Sequence, residues 1–169
     1  MTRLPTAPPA SAPVRVPDAG DRVQVYLHAG QLHAASVPTA ITTVLGSCVS
    51  VCLYDPVTKV GGMNHFLLPL HVEREASPRF GTVAVPALVD AVLRAGGTRA
   101  GLVAKVFGGA SVIGAIGKGG RRLGEENAAL ALRLLEDAGI PVLDQDVGGQ
   151  RGRKLVFIVD EGTAWVRQL

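Results

Sequence analysis

The sequence has 169 residues, of which 47% are hydrophobic and 18% are charged. This balance excludes an intrinsically disordered chain and fits a domain with a substantial apolar core. The formal net charge is only +3, and the basic residues are scattered, so a nucleic-acid-binding stripe is not indicated. Aromatic residues make up 4%, which also argues against a stacking platform for single-stranded nucleic acid.

The first 20 residues hold five of the eleven prolines, with Ala, Ser and Thr between them. This composition predicts a flexible tail over residues 1–20, followed by a single domain over residues 21–169. No apolar run approaches the ~20 residues needed to span a bilayer, and the N-terminal segment has no signal-peptide core. We therefore expect a cytoplasmic protein without membrane insertion.

Strand patterns dominate the first half of the predicted domain. Apolar residues alternate from Val23, which predicts a first strand. The β-branched segment 42–55 predicts two strands or one sharply bent strand, interrupted at Gly46-Ser47. The apolar run 60–69 follows a turn and is expected to pair with the preceding strand as a hairpin.

Helical spacing and glycine stops appear in the second half. They predict helices over residues 83–95 and 127–138, the second with Asn127 as its N-cap, after a glycine-rich loop over residues 108–124. Short strands are expected at residues 102–107, 140–143, 155–159 and 164–167. The predicted fold class is α+β, with antiparallel-rich mixed β-sheets in a sandwich-like arrangement flanked by two main helices.

Cys48 and His65 are the candidate catalytic pair. Glycine before Cys48 permits a tight bend from which a thiol can project. His65 lies 17 positions further on (65 − 48), a separation that a hairpin bridges. An imidazolium beside a thiol lowers its pKa, so the pair predicts a thiolate that reacts with iodoacetamide at low pH.

Other interpretations of the same residues stay open. Cysteine is among the most buried residue types, and Cys52, flanked by apolar neighbours, is expected to be a structural thiol. Cys48, Cys52, His65 and His71 form an alternative zinc-binding set, although their spacing lacks a second compact ligand pair. His28 and His33 are expected to face solvent. Residues 108–120 lack the spacing of a phosphate-binding loop, and Arg121-Arg122 is expected to be solvated.

Several ordered blocks resemble the chemoreceptor glutamine deamidase family known as CheD. They lie between about residues 23 and 160, and together they are far more specific than any single motif. The blocks are Thr42, Leu45-Gly46-Ser47-Cys48-Val49, Tyr54-Asp55, Gly61-Gly62-Met63-Asn64-His65 through Pro69, Lys105-Val106-Phe107-Gly108-Gly109-Ala110, Asp146-Val147-Gly148-Gly149 and Gly152-Arg153. One departure is Glu126, which stands where the family usually has arginine.

The resemblance implies a protein-glutamine deamidase with Cys48 as nucleophile, His65 as acid/base and Thr42 as the residue that orients the imidazole. Thr42 is chosen over Thr43 because the family threonine lies six positions before the cysteine. The implied substrates are glutamines in the cytoplasmic region of methyl-accepting chemotaxis receptors. Some members bind a CheC-type phosphatase, so this partner is implied as well, and no cofactor or metal is required. A non-catalytic adaptor that docks to receptors or to the phosphatase is the alternative.

Overall fold

The computed structural model describes residues 20–70, 76–111 and 118–169, with side chains in the last range from residue 122 onward. The predicted flexible tail therefore lies outside the described residues except for Gly20. The described part has two α-helices, α1 (Gly81–Arg94) and α2 (Lys118–Asp137). Its strands are β1 (Val23–Tyr26), β2 (Leu32–Ala35), β3 (Thr39–Leu45), β4 (Val49–Asp55), β5 (Val60–Asn64), β6 (Val103–Gly108), β7 (Val142–Val147), β8 (Arg153–Ile158) and β9 (Thr163–Gln168).

The strands form two mixed sheets. The smaller sheet has the order β1-β3-β8-β9, and the larger has the order β2-β5-β4-β6-β7. The β1–β3 and β6–β7 pairs are parallel, and the other five pairs are antiparallel. The predicted α+β class with antiparallel-rich sheets is confirmed.

The core has two apolar layers, one on each face of the larger sheet. Even-numbered positions of β4, such as Cys52, pack toward the smaller sheet, whereas odd-numbered positions such as Val51 pack toward the helices. The layer between the sheets includes Ile41, Leu45, Cys52, Met63, Phe107, Leu155 and Phe157. The layer under the helices includes Val51, Leu53, Phe66, Leu88, Val92, Val106 and Leu135. The sandwich thus has helices on one outer face.

The break predicted at Gly46-Ser47 is the point where the chain changes sheets. β3 belongs to the smaller sheet and β4 to the larger one, so the segment that joins them crosses the sandwich in three residues. Cys48 is the last residue of this crossing. The predicted hairpin of β4 with β5 is also confirmed, with Cys52 opposite Met63.

The prediction for the second helix was wrong at its start. α2 begins at Lys118 rather than near Asn127, so the predicted N-cap lies in the helix interior. Gly124 accounts for the difference, because a Cβ there would lie 2.5 Å from the carbonyl oxygen of Gly109 and 2.6 Å from that of Ala110. Glycine usually disfavours a helix, which is why the sequence predicted a loop here. In the structure, Gly124 lets α2 approach the loop after β6 closely. β2 was not predicted from the sequence.

Asp55 anchors the turn after β4, and its replacement tests how far this anchor stabilises the fold. Its buried carboxylate accepts hydrogen bonds from the N–H and hydroxyl of Thr98, at 2.8 and 2.9 Å, and from the N–H of Val57 at 3.0 Å. These bonds, that from the Thr98 N–H first, hold the pKa of Asp55 well below its usual range. We expect Asp55→Asn to lower the free energy of unfolding by about 2–4 kcal/mol at pH 7, since buried donors then lose a charged acceptor.

The pH dependence of this loss has a definite sign. Because the pKa of Asp55 is lowered by folding, its contribution is fully present above the unfolded-state pKa of about 4 and is lost as the pH falls below it. The stability difference between wild type and Asp55→Asn should therefore narrow in acid, as measured by urea unfolding. The exposed Asp90 on α1 supplies the control, because Asp90→Asn should change stability by less than about 0.5 kcal/mol. Equal stability of wild type and Asp55→Asn at pH 7 would contradict the assignment.

Candidate active site

Cys48 lies at the end of a bend whose backbone is held by three hydrogen bonds. Each carbonyl of residues 46–48 accepts one of them. The donors are, in order, the N–H of Ala110 at 2.9 Å, the side-chain amide of Asn127 at 3.0 Å and the N–H of Gly109 at 2.8 Å. The N–H groups of residues 46–48, by contrast, donate to no other residue in the described part of the chain. The carbonyl groups of the bend therefore already accept hydrogen bonds, whereas its backbone N–H groups are available to a ligand.

The loop after β6 supplies two of these donors, and its glycines are required by geometry. Gly108 and Gly109 have φ angles of 111° and 68°, in the left-handed region that favours glycine. A Cβ on Gly108 would collide with the carbonyl oxygen of Cys48. The Gly-Gly pair therefore allows the loop to lie directly against the nucleophile candidate.

Strand register brings His65 to the same face as Cys48. Val49 and Phe66 form an antiparallel bridge, with N–H to carbonyl distances of 3.1 and 3.0 Å, that continues the β4–β5 register. In this register Ser50 lies opposite His65, and Cys48 lies two pairs further along, on the same face. Diagonal neighbours of this kind lie within side-chain reach. The prediction that Cys48 and His65 lie on adjacent strands is consistent with this register, although each sits just beyond the end of its strand.

The hydroxyl that contacts the imidazole belongs to Thr43, not to Thr42. Oγ1 of Thr43 lies 2.8 Å from Nδ1 of His65, and both residues are buried. Successive side chains on β3 point to opposite faces, so Thr42 points away from the layer between the sheets. The contact with the imidazole that was expected of Thr42 is therefore made by Thr43 in the structure, and the orienting role stays a prediction.

The hydrogen bonds of Thr43 determine which nitrogen of neutral His65 carries the proton. The Thr43 hydroxyl has a single hydrogen, and it donates this hydrogen to the carbonyl of Leu27 at 2.8 Å. Its contact with Nδ1 must then be one in which Nδ1–H donates to the hydroxyl oxygen. The free lone pair is left on Nε2, which is buried and has no partner among the described residues. Nε2 is therefore available as a base.

Both members of the candidate pair are shifted toward their neutral forms. Burial raises the pKa of the Cys48 thiol, and the interaction of the thiol with its own backbone N–H offsets only part of this rise. Burial lowers the pKa of His65, the Leu27 carbonyl opposes this shift, and the charge of His28 adds to it. The resting thiolate–imidazolium pair expected from the sequence is thus disfavoured. Burial thus moves Cys48 toward the neutral thiol and His65 toward the neutral imidazole.

Cys52 has a different environment from Cys48. It is 1% exposed, within the layer between the sheets, and burial raises the pKa of its thiol. Cys48 is only partly buried. The expectation that Cys52 is a structural thiol agrees with this burial.

The remaining sequence candidates lie apart from this site or outside the description. His28 is exposed and His33 is half-buried, whereas both were expected to face solvent. His71 and residues 112–117 of the glycine-rich segment lie outside the described residues, as does the side chain of Arg121. In the described part of the chain, no three His, Cys, Asp or Glu side chains converge as a metal site.

Arg153 and Asn127 are two buried residues to which sequence reasoning gave no role at the site. Arg153 is 1% exposed, and its guanidinium pairs with the Asp146 carboxylate at 2.8 Å and bonds to the carbonyls of Asp146 and Gly148. The N–H of Gly148 donates to the carbonyl of Gly108 at 2.9 Å. Arg153 therefore supports the loop that holds the Cys48 bend. Its place in the Gly152-Arg153 block was the only signal in the sequence.

Comparisons with known proteins identify relatives along the whole chain. The model of a family described as CheD chemotactic sensory transduction matches residues 67–168. A protein of Anaeromyxobacter dehalogenans (strain 2CP-C), named probable chemoreceptor glutamine deamidase CheD 1, is 70% identical over 172 residues, which cover 100% of both chains. Proteins named probable chemoreceptor glutamine deamidase CheD from Sulfurimonas denitrificans and Rhizobium leguminosarum bv. trifolii are 41% and 42% identical. Those two alignments cover 84% and 83% of this chain and 92% and 77% of the relatives.

Neither helix in the described ranges combines the length and the apolar character that crossing a membrane requires.

Proposed function

The chain belongs to the CheD family, and on that premise we propose that it deamidates glutamine side chains of chemotaxis receptors, with Cys48 as nucleophile and His65 as acid/base. The observation that carries this proposal is the juxtaposition at the β3–β4 crossing. By strand register, the partly buried thiol of Cys48 and the imidazole of His65 are diagonal neighbours on one face of the larger sheet, and the bend that carries Cys48 has backbone N–H groups that donate to no other described residue. These are the parts that acyl transfer from a carboxamide requires.

The first half of the reaction forms a thioester. Sγ of Cys48 attacks the carboxamide carbon while its proton passes to Nε2 of His65, so no resting thiolate is needed. The oxyanion of the tetrahedral intermediate accepts hydrogen bonds from N–H groups of residues 46–48, which donate to no other residue in the described structure. Imidazolium His65 then gives the proton to the departing nitrogen. The C–N bond breaks and ammonia leaves.

The second half hydrolyses the thioester with the same residues. Neutral His65 accepts a proton from water at Nε2 as the water oxygen attacks the acyl carbon. The tetrahedral intermediate collapses, the C–S bond breaks, and the thiolate of Cys48 recovers its proton from the imidazolium. Glutamate is the product. Nε2 performs both steps because Thr43 keeps the other imidazole proton on Nδ1.

No hydrogen bond joins Cys48 to His65 in the free protein, since Nε2 has no partner among the described residues. Catalytic hydrogen bonds are often long in the absence of substrate and tighten in the Michaelis complex. A bound carboxamide also displaces solvent from the bend. The proposal therefore places proton transfer in the substrate complex rather than in the resting protein.

The test of the proposed function is mass spectrometry of a purified receptor cytoplasmic fragment after incubation with the protein. We expect conversion of particular glutamines to glutamate together with release of ammonia. The alternative is a non-catalytic adaptor that docks to receptors or to a CheC-type phosphatase. Binding of the receptor fragment without conversion of any glutamine would favour that alternative. The CheC-type partner stays a prediction from the resemblance, and the cytoplasmic location stays a prediction from the pattern of apolar residues.

The orienting role of Thr43 predicts a difference between two adjacent threonines. Thr43→Val removes the hydroxyl that accepts from Nδ1–H, so we expect kcat for ammonia release to fall on the order of 10- to 100-fold. Thr43→Ser keeps the hydroxyl and should recover most of this loss. Thr42→Val is the matched control, on the opposite face of β3, and should change kcat less than about twofold. A larger loss for Thr42→Val than for Thr43→Val, with both variants folded, would restore Thr42 as the orienting residue.

A further inference from the structure

Asn127 links the two backbone segments that carry the catalytic pair. Its side chain is 0% exposed in the interior of α2. Nδ2 donates to the carbonyl of Ser47 at 3.0 Å and to the carbonyl of Leu67 at 2.8 Å. Ser47 directly precedes Cys48, and Leu67 lies two residues after His65. A single amide thus joins the segment of the nucleophile to the segment of the base.

The link begins where the β4–β5 ladder ends. The bridge between Val49 and Phe66 is the last pair with both backbone hydrogen bonds, and Cys48 and Leu67 would form the next pair in this register. Beyond the bridge, the N–H of Leu68, which a continued ladder would bring to the carbonyl of Ser47, donates instead to the carbonyl of Arg79 at 3.1 Å, and Asn127 supplies the donor for Ser47. It therefore holds the two segments at a set distance without closing the ladder over Cys48.

The two acceptors determine the orientation of the amide. Both contacts are carbonyl oxygens, so the side of the amide that faces them must be the NH₂ group. Oδ1 is then directed elsewhere, and it is buried without a partner among the described residues. An unsatisfied buried oxygen costs about 1–3 kcal/mol, which an apolar side chain of similar shape would avoid. The same apolar side chain would leave the carbonyls of Ser47 and Leu67 without this donor, so the contributions of Asn127 to stability and to positioning have to be separated by experiment.

On these grounds we propose that Asn127 is a positioning residue for the reaction, acting through the Cys48 bend. It sets the direction of Sγ and of the free N–H groups of residues 46–48 relative to Nε2 of His65. The inference rests on the proposed function for its effect on turnover. The effect of Asn127 on the geometry of the Cys48 bend does not depend on whether the protein turns over a substrate.

The first test compares two apolar substitutions on α2. Asn127→Leu keeps the approximate shape of the side chain and removes both hydrogen bonds, so we expect kcat to fall on the order of 10- to 100-fold with KM nearly unchanged. Leu135→Ala is the control for general destabilisation, because Leu135 is fully buried on the same helix and has no part in the bend. This control should keep near-wild-type kcat below its melting transition. Near-wild-type kcat for folded Asn127→Leu, or an equal loss in Leu135→Ala, would overturn the proposal.

A second variant gives a readout that a merely structural residue would not move. Asn127→Asp places a carboxyl group against two carbonyl oxygens, and burial together with these oxygens raises the pKa of such a group. When protonated, the carboxyl restores one of the two donors. The ratio of kcat for Asn127→Asp to kcat for wild type should therefore increase as the pH falls. A ratio that is independent of pH would contradict the positioning role.

The rate at which iodoacetamide modifies Cys48 tests the positioning role of Asn127 without any measurement of deamidation. A failure of this inference can therefore be distinguished from a failure of the proposed function. In a Cys52→Ala background, loss of the Asn127 link should loosen the bend and change the rate of iodoacetamide modification of Cys48 several-fold. Leu135→Ala should leave that rate unchanged. If wild type converts no receptor glutamine, the proposed function fails, and the alkylation rates still decide whether Asn127 positions Cys48. Equal rates in Asn127→Leu and wild type would reject the positioning role.

Discussion

Cys48→Ala should reduce glutamine deamidation on the order of 10⁴-fold or more, because the covalent route through the thiol is lost. Cys52→Ala should retain most of the activity. Cys52 is 1% exposed and packs between the sheets, so its loss removes a sulfur atom from the core rather than a reacting group. A stability loss of about 1–2 kcal/mol is expected for this variant.

The measurement is glutamine conversion by mass spectrometry, with the melting temperature of each variant recorded beside it. Intact-mass analysis of the wild type during turnover should also detect an acyl adduct that Cys48→Ala lacks, provided that thioester hydrolysis is slow enough for the adduct to accumulate. Cys48→Ser tests the same point, since a hydroxyl of similar size is a far weaker nucleophile here. Equal loss of activity in folded Cys48→Ala and Cys52→Ala would show that the nucleophile is misassigned.

His65→Ala should lower kcat on the order of 10²- to 10⁴-fold, the range that a general acid–base group contributes. The double variant of Cys48 and His65 should be little worse than either single variant, because the effects of residues that act as one unit are not additive. Ammonia release at saturating receptor fragment is the measurement. Additive losses in the double variant would mean that the two residues act in separate steps.

The pH dependence of wild type follows from the direction of the His65 shift. Burial lowers the pKa of His65, so its basic form persists to lower pH than that of an ordinary histidine. The acid limb of kcat/KM should therefore fall below the unperturbed value of about 6.5, and His65→Ala should lack this limb. An acid limb well above that value would contradict the burial argument.

Alkylation of Cys48 reports the charge state of the resting pair. Because burial raises the pKa of the thiol, iodoacetamide should react with a pH dependence at or above that of a free thiol, with little reaction in acid. Rapid alkylation at low pH that disappears in folded His65→Ala would instead restore the thiolate–imidazolium pair. The proton-transfer step of the mechanism would then move from the substrate complex to the free protein.

The sequence alone was sufficient for the features that depend on neighbouring residues. Alternating and β-branched apolar residues predicted most of the strands, though not β2, and glycine at position 46 marked the crossing between β3 and β4, because backbone freedom is a local property. The spacing from Cys48 to His65 predicted adjacent strands, since a hairpin pairs residues at a distance that its turn determines. The ordered family blocks led to the CheD family before any geometry was known.

Only the tertiary structure decided the features that depend on contacts between distant segments. The two faces of β3 carry Ile41, Thr43 and Leu45 on one side and Ala40, Thr42 and Val44 on the other, and both sets are apolar enough to be buried. Periodicity could not tell which threonine meets His65, because that depends on which face packs against the larger sheet. The shifts of the pKa values of Cys48 and His65 toward their neutral forms likewise depend on burial, which is a property of the folded chain. The link from Asn127 to Ser47 joins residues 80 positions apart, and local sequence signals do not determine contacts at that distance.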